Sequence, residues 1–157
     1  METTFGLPEG YAKARAVSER LRGVFADACD VKWRHKDEYG RPDISAEELE
    51  QIIGMCESAV RWLTGFKLEM CVTAPAEDRR LLTYSLHEEG MRKRLSEVRN
   101  GIGSRPGSRS EREWRRILAD RALDEACDAT TWVSATYCKC RERALARASQ
   151  KVSASRC

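Results

Sequence analysis

Apolar residues recur at steps of three and four along most of this chain, the spacing that gathers them on one face of an α-helix. The first stripe is Ala14, Val17, Leu21, Val24, Phe25 and Ala28; it fades near Trp33, and Tyr39-Gly40-Arg41-Pro42 breaks it. The second is the best marked. Ser45 and Glu48 have the spacing of a capping box, in which each side chain satisfies the other residue's backbone N–H, and Ile44 with Leu49 fits the hydrophobic staple around it. Leu49, Ile52, Ile53, Cys56, Ala59, Val60, Leu63, Phe66 and Met70 then hold one broad face, and this helix is expected to end near Val72, ahead of Ala74-Pro75. A third helix is expected from about Pro75, which a first turn tolerates. Leu81, Tyr84, Met91, Leu95, Val98 and Ile102 line one side of it, with a polar gap at His87 and Glu88, a weak point at Gly90, and an end at Asn100-Gly101-Ile102-Gly103.

Ser110 and Glu113 repeat the capping-box spacing and open a fourth pattern: Trp114, Leu118, Ala122, Ala126, Ala129, Val133, Tyr137, Cys140 and Ala144. Unbroken over residues 111–148, this helix would be roughly 57 Å long at 1.5 Å per residue. It must therefore either break near Thr130-Thr131 or project beyond its neighbours. No strand-like alternation exceeds a few residues, and neither an internal repeat nor a second domain is visible. The expected fold is all-α: an antiparallel bundle of about four helices, the last one long or broken. Residues 11–148 would form this single domain, between a flexible lead at 1–10 and a tail at 149–157 that is expected to fray.

Composition agrees with this outline. A length of 157 residues suits one domain, and 41% hydrophobic with 34% charged residues suits a globular helical protein. No apolar run approaches the roughly 20 residues of a membrane span, and the start of the chain lacks the basic and apolar regions of a signal peptide. The expectation is a cytoplasmic or nuclear protein, not secreted, with no membrane partner and with its seven cysteines reduced.

Charge changes the picture more. Arginine outnumbers lysine 21 to 7, and residues 92–116 carry nine basic side chains against three glutamates, a net +6 in a chain whose total is +3. The nine are Arg92, Lys93, Arg94, Arg99, Arg105, Arg109, Arg112, Arg115 and Arg116, opposed by Glu97, Glu111 and Glu113. They span the end of one helix, a loop around Pro106-Gly107 and the start of the next, where unpaired N–H groups also favour an anion. Such an edge suits the backbone of RNA or DNA, held by charge with little sequence readout, or an acidic protein surface. Base stacking is not suggested, because Trp114 stands alone and is expected in the core.

Other chemistry finds less support. Cys138 and Cys140 are two apart, so on a helix they point about 200° away from each other and cannot share a zinc ion. Cys127 and Cys138, eleven apart, share a face, which fits packing as small apolar residues. Glu47 with Glu50 and Glu125 with Asp128 are acidic pairs at i,i+3 that could converge on Mg²⁺, as in a helical nucleotide hydrolase; acids of the first turn and salt bridges to Arg121 explain them more simply. His87-Glu88-Glu89-Gly90-Met91 lacks the second histidine of a zinc-protease motif. No catalytic residue, metal site or cofactor is expected. The alanine-rich stripe at Ala122, Ala126 and Ala129, with Val133 and Tyr137, is expected to form the interface of a homodimer. The reading is a small non-enzymatic binding protein that contacts RNA or DNA backbone through its basic edge. The alternatives are a protein-only interaction module, such as a viral or phage accessory regulator or inhibitor, and, more remotely, the metal-dependent hydrolase.

Overall fold

The computed structural model describes residues 7–82 and 85–155, the side chains of 85–87 and 154–155 excepted. Its elements are α1 (Glu9–Lys32), α2 (Ala46–Thr73), a 3-10 helix (Ala76–Leu82), α3 (Ser85–Gly101) and α4 (Glu111–Ser155). Tyr84 and the side chain of His87, both assigned above to the third helix, lie outside the described residues, as do residues 1–6 and 156–157. Among the described residues there is no strand; an isolated bridge joins Lys36 to Pro42 in the loop between α1 and α2.

α2 is the spine, touching α1, α3, α4 and the 3-10 helix. It starts as its sequence requires. The Ser45 Oγ accepts from the Glu48 N–H at 3.1 Å, and the Glu48 carboxylate accepts from the Ser45 N–H at 3.0 Å. Ile44 and Leu49 are both buried beside this box, and every expected face residue from Ile52 to Met70 is buried. On α1, Ala14, Leu21 and Ala28 are buried with Tyr11, Ser18 and Val31, whereas Val17, Val24 and Phe25 are only partly covered. The contacts run in a regular register. Gly10 meets Thr73 and the Arg20 guanidinium lies over the Trp62 ring; Lys32 reaches Asp120 and Arg22 reaches Ser134.

The third segment differs from expectation. Residues 76–82 form a separate 3-10 helix, and α3 begins only at Ser85. What fixes the 3-10 helix is Asp78, whose side chain is fully buried and accepts from the Arg143 Nε at 2.6 Å and an Arg147 Nη2 at 2.8 Å. Ile102, expected on the third helix's apolar stripe, is exposed beyond its end.

α4 is one unbroken helix of 45 residues. Thr130 and Thr131 do not interrupt it; the Thr130 hydroxyl donates to the Ala126 carbonyl at 2.7 Å, folding its polar group back onto the helix. The helix continues past Ser149, where the tail was expected to begin, and residues 149–153 are exposed. Its start is only half a capping box: the Ser110 Oγ accepts from the Glu113 N–H, while the Glu113 carboxylate accepts from Arg109. Cys127 and Cys138 share a face as expected, but that face is exposed; among the described residues Cys56 and Cys140 are the buried thiols. Burial pushes the Cys56 thiol up to about 12.

Two outcomes follow. A Cβ on Gly10 would stand 1.7 Å from the Thr73 Oγ1 and 2.7 Å from its Cβ, an atom that side-chain rotation does not move. Gly10→Ala should lower stability by about 1–3 kcal/mol in urea unfolding, against the usual helical preference for alanine. Gly23→Ala, where no atom lies within 4 Å, should be neutral or raise it. The second outcome concerns Asp78. Burial works against its ionisation, but hydrogen bonds from Arg147 and Arg143 prevail and hold its carboxyl below the usual range. Its stabilising contribution is therefore complete above the unfolded-state value near 4 and is lost as pH falls through the lower folded value. Asp78→Asn should cost about 2–3 kcal/mol at pH 7, reduced from a fully buried pair because both arginines are partly exposed, and should flatten the decline in stability below about pH 4.

Candidate anion-binding edge

The nine basic residues of 92–116 do not form one free surface. Several of them bind carboxylates that lie elsewhere in the chain. Arg99, on the last turns of α3, donates to Glu57 on α2 through its Nε at 3.1 Å and an Nη2 at 2.6 Å, and to Glu50 through Nη1 at 2.9 Å. These hydrogen bonds raise its already high pKa further. Arg94 forks onto Glu125 of α4, at 2.5 and 3.0 Å. Arg92 bridges the Glu88 carboxylate and the Thr64 hydroxyl, next to the Lys67–Glu88 pair. Burial opposes ionisation of Glu88, yet Thr64, Lys67 and Arg92 together hold its carboxyl low.

On α4, Arg116 reaches Asp37 at 3.2 Å, and Arg115 donates to the Ile44 carbonyl at 2.6 Å. Asp37 is the hub of the loop before α2. Its carboxylate also accepts from the N–H groups of Tyr39 and Arg41 and from the Arg41 side chain, in a turn that Gly40 permits with φ +77°. Burial raises the cost of charge on Asp37, and the backbone N–H groups of Arg41 and Tyr39 outweigh it, so its carboxyl is held low. Arg94, Arg99, Arg115 and Arg116 are thus inter-element fasteners as much as surface charge.

What stays outermost is the loop and the first turn of α4. The Arg109 Nη1 donates to Glu113 at 2.5 Å, Arg112 lies 3.3 Å from Asp43, and the Arg105 Nη1 donates to the neutral carbonyl of Arg109 at 2.6 Å. Lys93 is exposed on the solvent side of α3. Arg105 and Arg115 line a cavity of about 370 Å³ between the first turns of α2 and α4, with Leu49, Ile102, Trp114 and Leu118 as its apolar part. Trp114 is half-buried; its indole N–H donates to the Gly101 carbonyl at 2.7 Å and Arg121 lies over its ring, so it closes the joint between α3 and α4.

The remaining sequence-derived residues fall elsewhere. Ala122, Ala126, Ala129, Val133 and Tyr137 all lie inside the core of one chain, where the alanines let α4 approach its neighbours. A homodimer through that stripe would require the bundle to open. The acidic pairs do not converge: Glu50 is held by Arg99 and Glu125 by Arg94, not by Arg121, and among the described residues no group of three or more His, Cys, Asp or Glu could hold a metal ion. No helix among the described residues is long and apolar enough to cross a membrane. Sequence reasoning missed Asp78, Arg143 and Arg147, for which the single weak signal was two arginines at i,i+4 on α4.

No protein-family model matches the chain, and neither does any curated protein or solved structure.

The division between fastening and outermost arginines is measurable in stability alone. Arg99→Ala removes the cation that Glu50 and Glu57 share and should cost about 1–2 kcal/mol, several partly exposed pairs acting as a network. Arg105→Ala should change the urea midpoint by no more than about 0.5 kcal/mol in equivalent stability.

Proposed function

We propose that this protein is a small non-enzymatic binding module whose outer edge, the loop at residues 102–110 and the first turn of α4, contacts the phosphate backbone of RNA or DNA. The observation that carries the reading is the placement of Arg105, Arg109 and Arg112 together on the exposed side of that loop and helix start, with Arg105 bonded only to a neutral carbonyl among the contacts described for it. The Glu113 and Asp43 partners of Arg109 and Arg112 are surface pairs, weak enough for a phosphate to displace. The N-terminus of α4 adds its dipole to the same edge. The contacting set proposed is therefore Arg105, Arg109 and Arg112; Lys93 lies two turns before the end of α3, and the other basic residues of the segment position the loop. The register of contacts between successive helices supports an antiparallel course, which brings the α3–α4 loop beside the start of α2.

A second reading has one observation of its own. Leu68 and Val72 are exposed on the last turns of α2, on the same helical face and away from the basic loop. They favour a protein-only interaction module.

A mobility-shift titration with single- and double-stranded RNA and DNA tests the first reading. Binding should weaken steeply with salt, with a log–log slope of about −2 to −4 for three or four phosphate contacts. The Arg105→Ala/Arg109→Ala/Arg112→Ala protein should lose about tenfold or more in affinity while remaining folded. Absence of any shift at low salt ends this reading. A partner captured by the triple variant but lost on Leu68→Glu/Val72→Glu transfers the function to the α2 face.

A further inference from the structure

A different part of the molecule brings three arginines to one cavity. On α1, Arg15, Ser18, Glu19 and Arg22 follow one another at i, i+3, i+4 and i+7, and on α4 Ser134, Tyr137, Cys138 and Arg141 do the same. Each set is one helix face, and the two faces line a single cavity of about 230 Å³. The register is pinned at one end, where the Arg22 Nη2 donates to the Ser134 hydroxyl at 3.2 Å. The walls thus hold three guanidinium groups and one carboxylate, Glu19, which pairs with Arg15 at 3.2 Å. Tyr137 also lines the cavity. Its residue is 7% exposed, and its hydroxyl is buried with no hydrogen-bond partner among the described residues. Packing accounts for the ring, and no partner among the described residues accounts for the hydroxyl. Burial raises its pKa against the opposing pull of Arg141 and Arg15, so at neutral pH it is a donor.

We propose that this α1–α4 cavity binds a phosphate group, as the head of a small phosphomonoester or as free inorganic phosphate. Its oxygens accept from the Tyr137 O–H and from the planar donor fork of Arg22, within the positive field of Arg15 and Arg141. The cavity is smaller than a pocket for a drug-sized molecule, which limits the ligand to a phosphate and a short stem. Ser134, now bonded to Arg22, is placed to share the same oxygen. This site is independent of the basic loop, so either can fail without the other.

The test is calorimetric titration of the full chain with inorganic phosphate and, separately, with glycerol 3-phosphate. Saturable binding in the micromolar to millimolar range is expected; the tighter of the two ligands identifies the source. Tyr137→Phe keeps the ring in the core and should weaken binding about tenfold, as should Arg22→Gln. The Arg105→Ala/Arg109→Ala/Arg112→Ala protein should bind as the parent does. A second readout is internal: Cys138 is exposed and lines the cavity, so phosphate should slow its alkylation, followed by mass spectrometry, and leave that of Cys71 unchanged. The proposal is overturned if neither ligand saturates, if Tyr137→Phe and Arg22→Gln proteins bind as tightly as the parent, or if the loop variant abolishes binding.

Discussion

A guanidinium group set between two helices is held most firmly where a carboxylate on the second helix stands opposite it, and much of this fold's register answers to that requirement. Arg99 ties α3 to two glutamates of α2, Arg94 ties it to α4, Arg116 ties α4 to the loop before α2, and Asp78 is gripped by two arginines of α4. Apolar burial supplies the driving force, but a stripe of alanines and leucines tolerates sliding by a turn far better than a forked ion pair does. The buried core decides that the helices associate; the arginine pairs decide at which turn they meet. This is the use for which the planar fork, with two parallel donors, is better suited than a lysine.

The same requirement explains what was legible in the sequence. The capping box at Ser45 and Glu48 and the apolar face from Leu49 to Met70 are local, set by residues within a turn of each other, and they stand in the structure as the spacing implies. The helical class was legible for the same reason. The 3-10 helix was not, because its cause, Asp78, finds its partners 65 and 69 residues away. Residues 92–116 show the other limit. Counting charge along a segment finds the +6 correctly, yet Glu50, Glu57, Asp37, Asp43 and Glu125 lie outside it and are brought to it only by folding. Helical periodicity identified the stripe at Ala122 to Tyr137 but could not say whether its own chain or another would cover it.

Arginine consequently has three settings in this protein. Some fasten helices, some stand outermost on the α3–α4 loop, and three line a cavity between α1 and α4 together with Tyr137. The settings differ in the number and burial of their acidic partners, not in residue type. The many arginines of the chain are therefore not one electrostatic feature, and its modest net charge conceals regions with opposite needs.

The position of α4 after the helices it covers bears on how the protein is made. α1 and α2 are consecutive and in extensive contact, so they can pair as soon as both have been synthesised. Their shared inner face, from Tyr11 and Leu21 to Phe66 and Met70, then waits for residues 118–144 to cover it. At a synthesis rate of about 5–20 residues per second, the interval between completion of α2 and arrival of Ala144 lasts seconds, long compared with helix formation. During that interval the nascent chain carries an open apolar trough beside the ribosome. α4 is in this sense the lid of the molecule, and the acids that receive its arginines, Asp37 and Asp78, precede it in the chain.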